Sequence, residues 1–438
     1  VWSRSHNKLL GVIIVVAVAA AACGSGDKGD NSGGTTPEGT TGRTLAVPAD
    51  YPDIQAAVDA AKPGDLVLIS PGVYTPDEQI TVETDNITIR GTDRNEVIID
   101  GEFKRENGIR VFSNDVAIEN LTVRHHTGNG IFFTGDYGKG FTLNGWRASY
   151  ITAYNNGLYG IYAFNATRGQ MDHSYGSGHP DSAFYVGQCN PCDAVLTDLV
   201  AELNMLGYSG TNSTGVTIVS SIFRRNRAGV VPNSLHTEKL APNRGTLVVG
   251  NLIEDNDDPG APDNPAFSLA WGNGVVLGGV TGNIVERNLI RNNVNAGVVI
   301  TDLPPSKNPE TGQEETFKPE NNIVRNNVTQ GNGIDLAYLT VNYASRPFGN
   351  CFEANTFAST FPEDLETLLA CREGNDTELG DLSPILGRIQ PAPPDVDWKT
   401  IPPPPPQPQM PKATTAPARG AKGVTGTVDT AKITVPKG

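Results

Sequence analysis

The sequence predicts an all-β solenoid of parallel strands. Two observations carry this: a short motif recurs at a nearly fixed spacing, and no helical period separates its copies. A glycine followed by alternating apolar residues appears as NGIRV from Asn107, NGIFF from Asn129, YGIYA from Tyr159, AGVVP from Ala228, NGVVL from Asn273, AGVVI from Ala296 and NGIDL from Asn332. Gly108 and Gly130 lie 22 residues apart, Gly274 and Gly297 lie 23 apart. A second element, centred on a small polar residue, falls between these copies. It reads AIENLTV around Asn120, IVSSIF around Ser221, VVGNLI around Asn251, VERNLI around Asn288 and VRNNVT around Asn327. DHSYGS around Ser174 and LTDLVA around Asp198 fit more loosely. Each unit thus supplies two or three period-two strands separated by Gly and Asn turns. No unit buries its own apolar face, but stacked units bury a continuous one.

The leucine-rich frame L-x-x-L-x-L-x-x-N is absent, which removes the main competing repeat. The recurring Asn, Ser and Asp positions are expected to stack one coil apart and hydrogen-bond along the axis. They are therefore read as scaffold, not as ligands. At the front of the array, Ile54, Ala57, Val58 and Ala61 fall on one helical face, and Lys62-Pro63-Gly64-Asp65 ends that helix. A short helix here would cap the open edge of the first coil.

The ends differ from the array. Residues 1–22 read as a signal peptide: Arg4, His6 and Lys8 precede an apolar run from Leu9 to Ala22. That run is shorter than the roughly 18–20 residues a spanning helix needs. Small residues directly before Cys23 resemble a bacterial lipobox, which makes Cys23 the expected lipidation site, although Ala20 stands where an aliphatic residue is usual. Residues 24–44 read as a disordered tether, and residues 386–438 as a Pro-rich disordered tail. The solenoid is expected over 45–385.

The formal net charge is −15. A nucleic-acid partner needs a basic face and is excluded. A polyanionic substrate would need local Arg or Lys, or a bridging cation. Of five cysteines, Cys189 with Cys192 and Cys351 with Cys371 pair locally and are read as disulfides of an exported protein.

The segment DYPDIQAAVDAAKPGDLVLISPGVY, Asp50 to Tyr74, with the repeats behind it, resembles the right-handed parallel β-helix proteins of the pectin-lyase-like superfamily. The resemblance spans roughly residues 45–375. It implies about ten to eleven coils of ~22 residues behind an N-terminal helical cap, a rod near 50 Å long at ~4.8 Å per coil. It also implies a polysaccharide or cell-envelope glycan as partner. Lyases and C5-epimerases on this scaffold need a base, a proton donor and a cation beside the uronate carboxylate.

Function on a repeat scaffold sits where the repeat is broken. Thr134–Gly140, Gln188–Asp193, Asn233–Arg244 and Leu303–Pro319 all leave the coil after the glycine-led strand, so they should wall one side of a groove. Glu254, Asp255, Asp257 and Asp258 open a further insertion whose oxygens would suit calcium, if not simply a solvated loop. The stretch YGSGHPDS resembles the Asp-Pro-His-Asp motif of alginate epimerases, with the order changed to Gly-His-Pro-Asp. His179, Asp181, His173, Asp172 and Tyr175 are accordingly the candidate catalytic residues. Tyr154, Tyr159, Tyr162 and Tyr185 are candidate sugar-stacking rings, and Arg147 and Arg168 candidate carboxylate binders. Three functions follow: glycan binding with lyase or epimerase chemistry, a non-catalytic envelope-binding module, or a periplasmic metal-centre maturation factor. Three methionines give the last little support.

Overall fold

The computed structural model describes residues 42–309, 311–340, 342, 346–372, 378–421 and 428–437. They form a right-handed parallel β-helix of three faces. Face 1 runs from strand Thr44–Val47 to Cys351–Glu353, and face 2 from Gly72–Tyr74 to Val328–Gln330. Face 3 runs from Ile80–Val82 to Thr360–Phe361 and holds eleven parallel strands, hence eleven coils. The long strands Val116–Arg124 and Leu143–Tyr154 pass through the corner between faces 1 and 2 and serve both. The expected signal peptide 1–22, Cys23 and all but the end of the expected tether 24–44 lie outside the described residues.

Register explains the core. Ile109, Ile131, Ile161, Phe184, Tyr208, Val230, Val275, Val298 and Leu336 stand in one column of face 3, all buried. Each adds about 1.5–3 kcal/mol of apolar burial that a single coil could not achieve alone. The predicted cap is helix Ile54–Ala60, with Asp53 accepting from the Ala56 amide. Ile54, Ala57, Val58 and Ala61 are buried as expected.

The corners follow a two-residue rule. One residue takes left-handed backbone, and the next turns its side chain inward. At the corner between faces 2 and 3 the left-handed column is His125, Asn155, Gly178, Leu203, Arg225, Asp255, Asn292 and Gly331. The following residues form a ladder: Asn204 donates to Asn226 at 2.9 Å, Asn226 to Asn256 at 2.9 Å, Asn256 to Asn293 at 3.2 Å and Asn293 to Asn332 at 2.8 Å. At the corner between faces 1 and 2, Asn251, Asn288, Asn327 and Asn355 do the same at 2.9–3.0 Å. Ser221 and Ser174 occupy the matching earlier positions. Asn120 and Asp198, aligned with that ladder from sequence, instead fill its left-handed column.

The expected disordered tail needs correction. Its described residues lie against the solenoid: Arg227 donates to the carbonyls of Pro393 and Pro394 at 2.9 and 2.7 Å, and Arg94 to that of Pro408 at 3.0 Å. Prolines lose little conformational freedom on docking, which makes such a segment cheap to order.

Candidate functional site

The candidate catalytic cluster, Asp172 to Asp181, does not converge. About ten consecutive residues cover roughly half a coil, so neighbours in sequence point in different directions. His179 follows the left-handed Gly178 and therefore points inward, into the ladder. It is fully buried between Asn204, whose Oδ1 lies 2.8 Å from Nδ1, and Asn156, whose Nδ2 lies 3.2 Å from Nε2. Burial lowers its pKa to about 4. His126 is the same kind of rung, beside Asn156 and also near 4. A neutral, enclosed imidazole with both nitrogens engaged offers nothing to a substrate.

The other candidates scatter over two faces. His173 is a left-handed corner residue, half-exposed, stacked on Tyr150 at 4.5 Å and bonded to Asp172 at 2.9 Å. Asp172 is buried on face 1, where it accepts from Arg147 at 3.1 Å. Arg147 also holds Glu119 at 3.0 Å, and Glu119 pairs with Arg90 at 2.7 Å. Arg168 pairs with Asp115 at 3.2 Å. Both arginines expected to bind a substrate carboxylate are thus already matched by carboxylates of the protein. Tyr175 on face 2 donates to Glu202 at 3.1 Å, and Tyr154 accepts from Arg124 at 2.6 Å.

Asp181, Tyr159, Tyr162 and Tyr185 do come together, on face 3. Arg110, Phe132, Tyr162 and Tyr185 occupy one register position on successive strands. At ~4.8 Å per strand the row is about 14 Å long. Its rings touch: Phe132 stacks on Tyr162 at 4.5 Å, Tyr162 on Tyr159 at 4.4 Å, and Tyr162 meets Tyr185 edge-on at 4.7 Å. At the end of the row the Arg110 guanidinium lies 4.6 Å over Phe112 and 5.0 Å over Phe132. Its Nε is buried without a hydrogen-bond partner among the described residues.

Two acids sit at the other end. Asp181, just before strand Ser182–Gly187, accepts from Ser182 Oγ at 3.2 Å and is influenced by the nearby Tyr159. Burial dominates both effects and raises its pKa to about 7. Glu238 accepts from Gln188 at 2.8 Å and Tyr185 at 3.4 Å, and burial raises it above the usual carboxylate range. Burial also pushes Tyr159, Tyr162 and Tyr185 well above 10, so these phenols stay protonated.

The predicted wall is present. Tyr137 of the first insertion donates to the Gln188 carbonyl, and Lys239 of the third donates its amide to Gln188 Oε1 at 3.3 Å. His236 of the third stacks on Phe317 of the fourth at 3.9 Å. Farther along face 3 the row continues as Val231, Val276 and Val299, and Phe267 of the short helix Pro265–Ala270 lies in that patch. The acidic insertion does not fit calcium. Glu254 is bound to Arg291 and Asp258 to Arg225, at 2.8 and 2.9 Å. No group of three or more His, Cys, Asp or Glu among the described residues is arranged to hold a metal. Both disulfides are formed, Cys189–Cys192 and Cys351–Cys371, as befits an oxidising compartment.

Sequence reasoning missed Arg110, Phe132, Tyr137 and Glu238. The signal for the first two was available: each follows the inward Ile in an NGI-type motif, at the position of Tyr162.

Fold and groove together define a right-handed parallel β-helix with one walled aromatic face. No family model and no curated protein sequence matches the chain. Among solved structures, the A-module of the Azotobacter vinelandii mannuronan C-5 epimerase AlgE4 aligns at TM-score 0.52 and 15% identity, covering 71% of this chain and 92% of that one. The AlgE6 A-module from the same organism gives 0.46 and 16%, covering 70% and 92%. Pectate lyase Pel9A gives 0.37 and 15%, covering 73% and 78%. At these identities the likeness is one of fold.

Proposed function

We propose that this protein binds an acidic polysaccharide along the face 3 groove and acts on it by proton transfer, as a lyase or C5-epimerase. The observation that carries the reading is Arg110. It is a guanidinium held between two aromatic rings, with no carboxylate of the described residues on it, at one end of a row of stacked rings. Rings stack on sugar faces, and an unmatched guanidinium takes a uronate carboxylate in a two-bond contact. The charge of −15 does not oppose this locally. Asp181 and Glu238 are both held toward their neutral forms, while Arg110 and Lys239 are cations.

Within the groove Asp181 is the group suited to proton exchange. A carboxyl near pKa 7 is populated in both forms at neutral pH. Tyr159, close to Asp181 and kept protonated, is the candidate proton donor. Arg110, at the opposite end of the ~14 Å row, would hold the carboxylate of another residue of the polymer and so position the chain. The test is an assay of unsaturated products and of C5 proton exchange on uronate polymers. Asp181→Asn should remove turnover but keep binding, and Arg110→Ala should weaken binding. A turnover-competent Asp181→Asn protein would end the catalytic reading and leave a binding module.

The exported setting extends this proposal. Lipid attachment at Cys23 would hold the solenoid at a membrane surface through the segment before residue 45. Cys23→Ser should then move the protein from the membrane to the soluble fraction.

A further inference from the structure

The proline-rich C-terminal segment is held by donors spread along the solenoid. Prolines have no N–H, so a proline run can only accept, and a receptor for it must present donors that are otherwise unmet. Arg227 gives both terminal nitrogens to the carbonyls of Pro393 and Pro394. Asn155 donates to the carbonyl of Ile401 at 2.9 Å, beside Trp398, whose ring lies 5.5 Å from Phe103. Arg94 donates to Pro408, and Arg90 to Ala416 and Pro417 at 2.6 and 3.0 Å. All three arginines are fully buried or nearly so.

Residues of the segment that keep an N–H are gripped differently. Asn295 and Gln390 exchange two bonds, side-chain amide to main chain, at 2.7 and 3.3 Å. Asn95 and Gln407 do the same at 2.8 and 3.0 Å. The Met410 amide donates to Asn120 at 2.8 Å. These contacts read the main chain, and the clamps fall where the peptide has an N–H to offer.

We propose that a track along the corner between faces 2 and 3, crossing in the first coils to the corner between faces 1 and 2 and onto face 1, binds an extended proline-rich peptide and is occupied here by the chain's own residues 390–421. The track is separate from the face 3 groove. Its ligand class is a polyproline-type segment with a hydrogen-bonding residue at each clamp.

The first test is hydrogen exchange on the full chain. The amides of Gln390, Gln407 and Met410, and of Gly420, which donates to Thr88 Oγ1 at 3.0 Å, should exchange about a hundredfold or more slower than in an unstructured peptide. Replacing Arg94 and Arg227 together by Met should return them toward the unstructured rate. Unprotected amides in the unaltered chain would overturn the proposal. A second test needs no substitution in the track: a protease site inserted between Arg388 and Ile389 is cut in the folded protein. The released 389–438 fragment should co-elute with the solenoid and be displaced by excess synthetic 389–421 peptide. A fragment that separates at once, or that the peptide fails to displace, would contradict a reversible polyproline track.

Discussion

Replacing His179 separates a scaffold rung from a catalytic base. His179→Ala removes the contacts to Asn204 and Asn156, at 2.8 and 3.2 Å, inside the core. Two buried hydrogen bonds at about 1 kcal/mol each, with one partner left stranded at about 1–3 kcal/mol, set the polar part. The missing ring adds about 1–2 kcal/mol at ~24 cal/mol per Å³ of void. The expected loss is about 4–7 kcal/mol. His179→Asn should cost only about 1 kcal/mol, because Asn fills this position at 204, 226, 256 and 293 and rebuilds both rungs. Urea denaturation midpoints of both variants measure this, with glycan binding and turnover recorded beside them. If His179→Asn keeps full stability and loses turnover, the ladder reasoning is wrong and His179 belongs to the chemistry.

Acid titration gives a second check. His126 and His179 titrate near 4 when folded and near 6.5 when unfolded, so the unfolded chain gains two protons over that window. Asp181 works the other way, keeping its proton to about 7 when folded but only to about 3.8 when unfolded. From these three groups the unfolded state binds a net one extra proton between pH 4 and 6.5. Stability should therefore fall by about 1.4 kcal/mol per pH unit on acidification. Asp181→Asn removes the opposing group and should steepen that slope to about 2.7 kcal/mol per unit, which denaturation curves across the window will show. The same variant should be more stable than the unaltered chain at pH 8, where folded Asp181 carries a buried charge; an unchanged midpoint would refute its burial. Arg147→Met leaves Asp172 buried without its cation and should cost about 3–5 kcal/mol without touching glycan binding.

The scaffold was legible because its period is written in glycines and asparagines. The glycine repeats and the resemblance they support imply about ten to eleven coils, Ile54, Ala57, Val58 and Ala61 mark the helical cap, and the cysteine spacing marks the disulfides; face 3 holds eleven strands. The walls could be read too, since insertions leaving one junction must lie on one side. The site was less legible for a geometric reason. A coil of about 22 residues turns the chain through three faces, so His173, Tyr175 and His179 diverge although they lie within seven positions. Arg110, Tyr162 and Tyr185 converge although 75 positions separate the first from the last. The useful register was the residue after the inward Ile of each motif, not the local density of His and Asp. The tail misled for a different reason: proline content signals an extended chain, but says nothing of buried arginines elsewhere that accept it.

Calorimetric titration of uronate oligosaccharides into the unaltered protein, Arg110→Ala, Tyr162→Ala and His179→Asn tests the account most directly. The groove reading predicts that Arg110→Ala and Tyr162→Ala each weaken binding tenfold or more, about 1.4 kcal/mol, while His179→Asn binds as before. Equal affinity in all four proteins, or loss in His179→Asn alone, would contradict it.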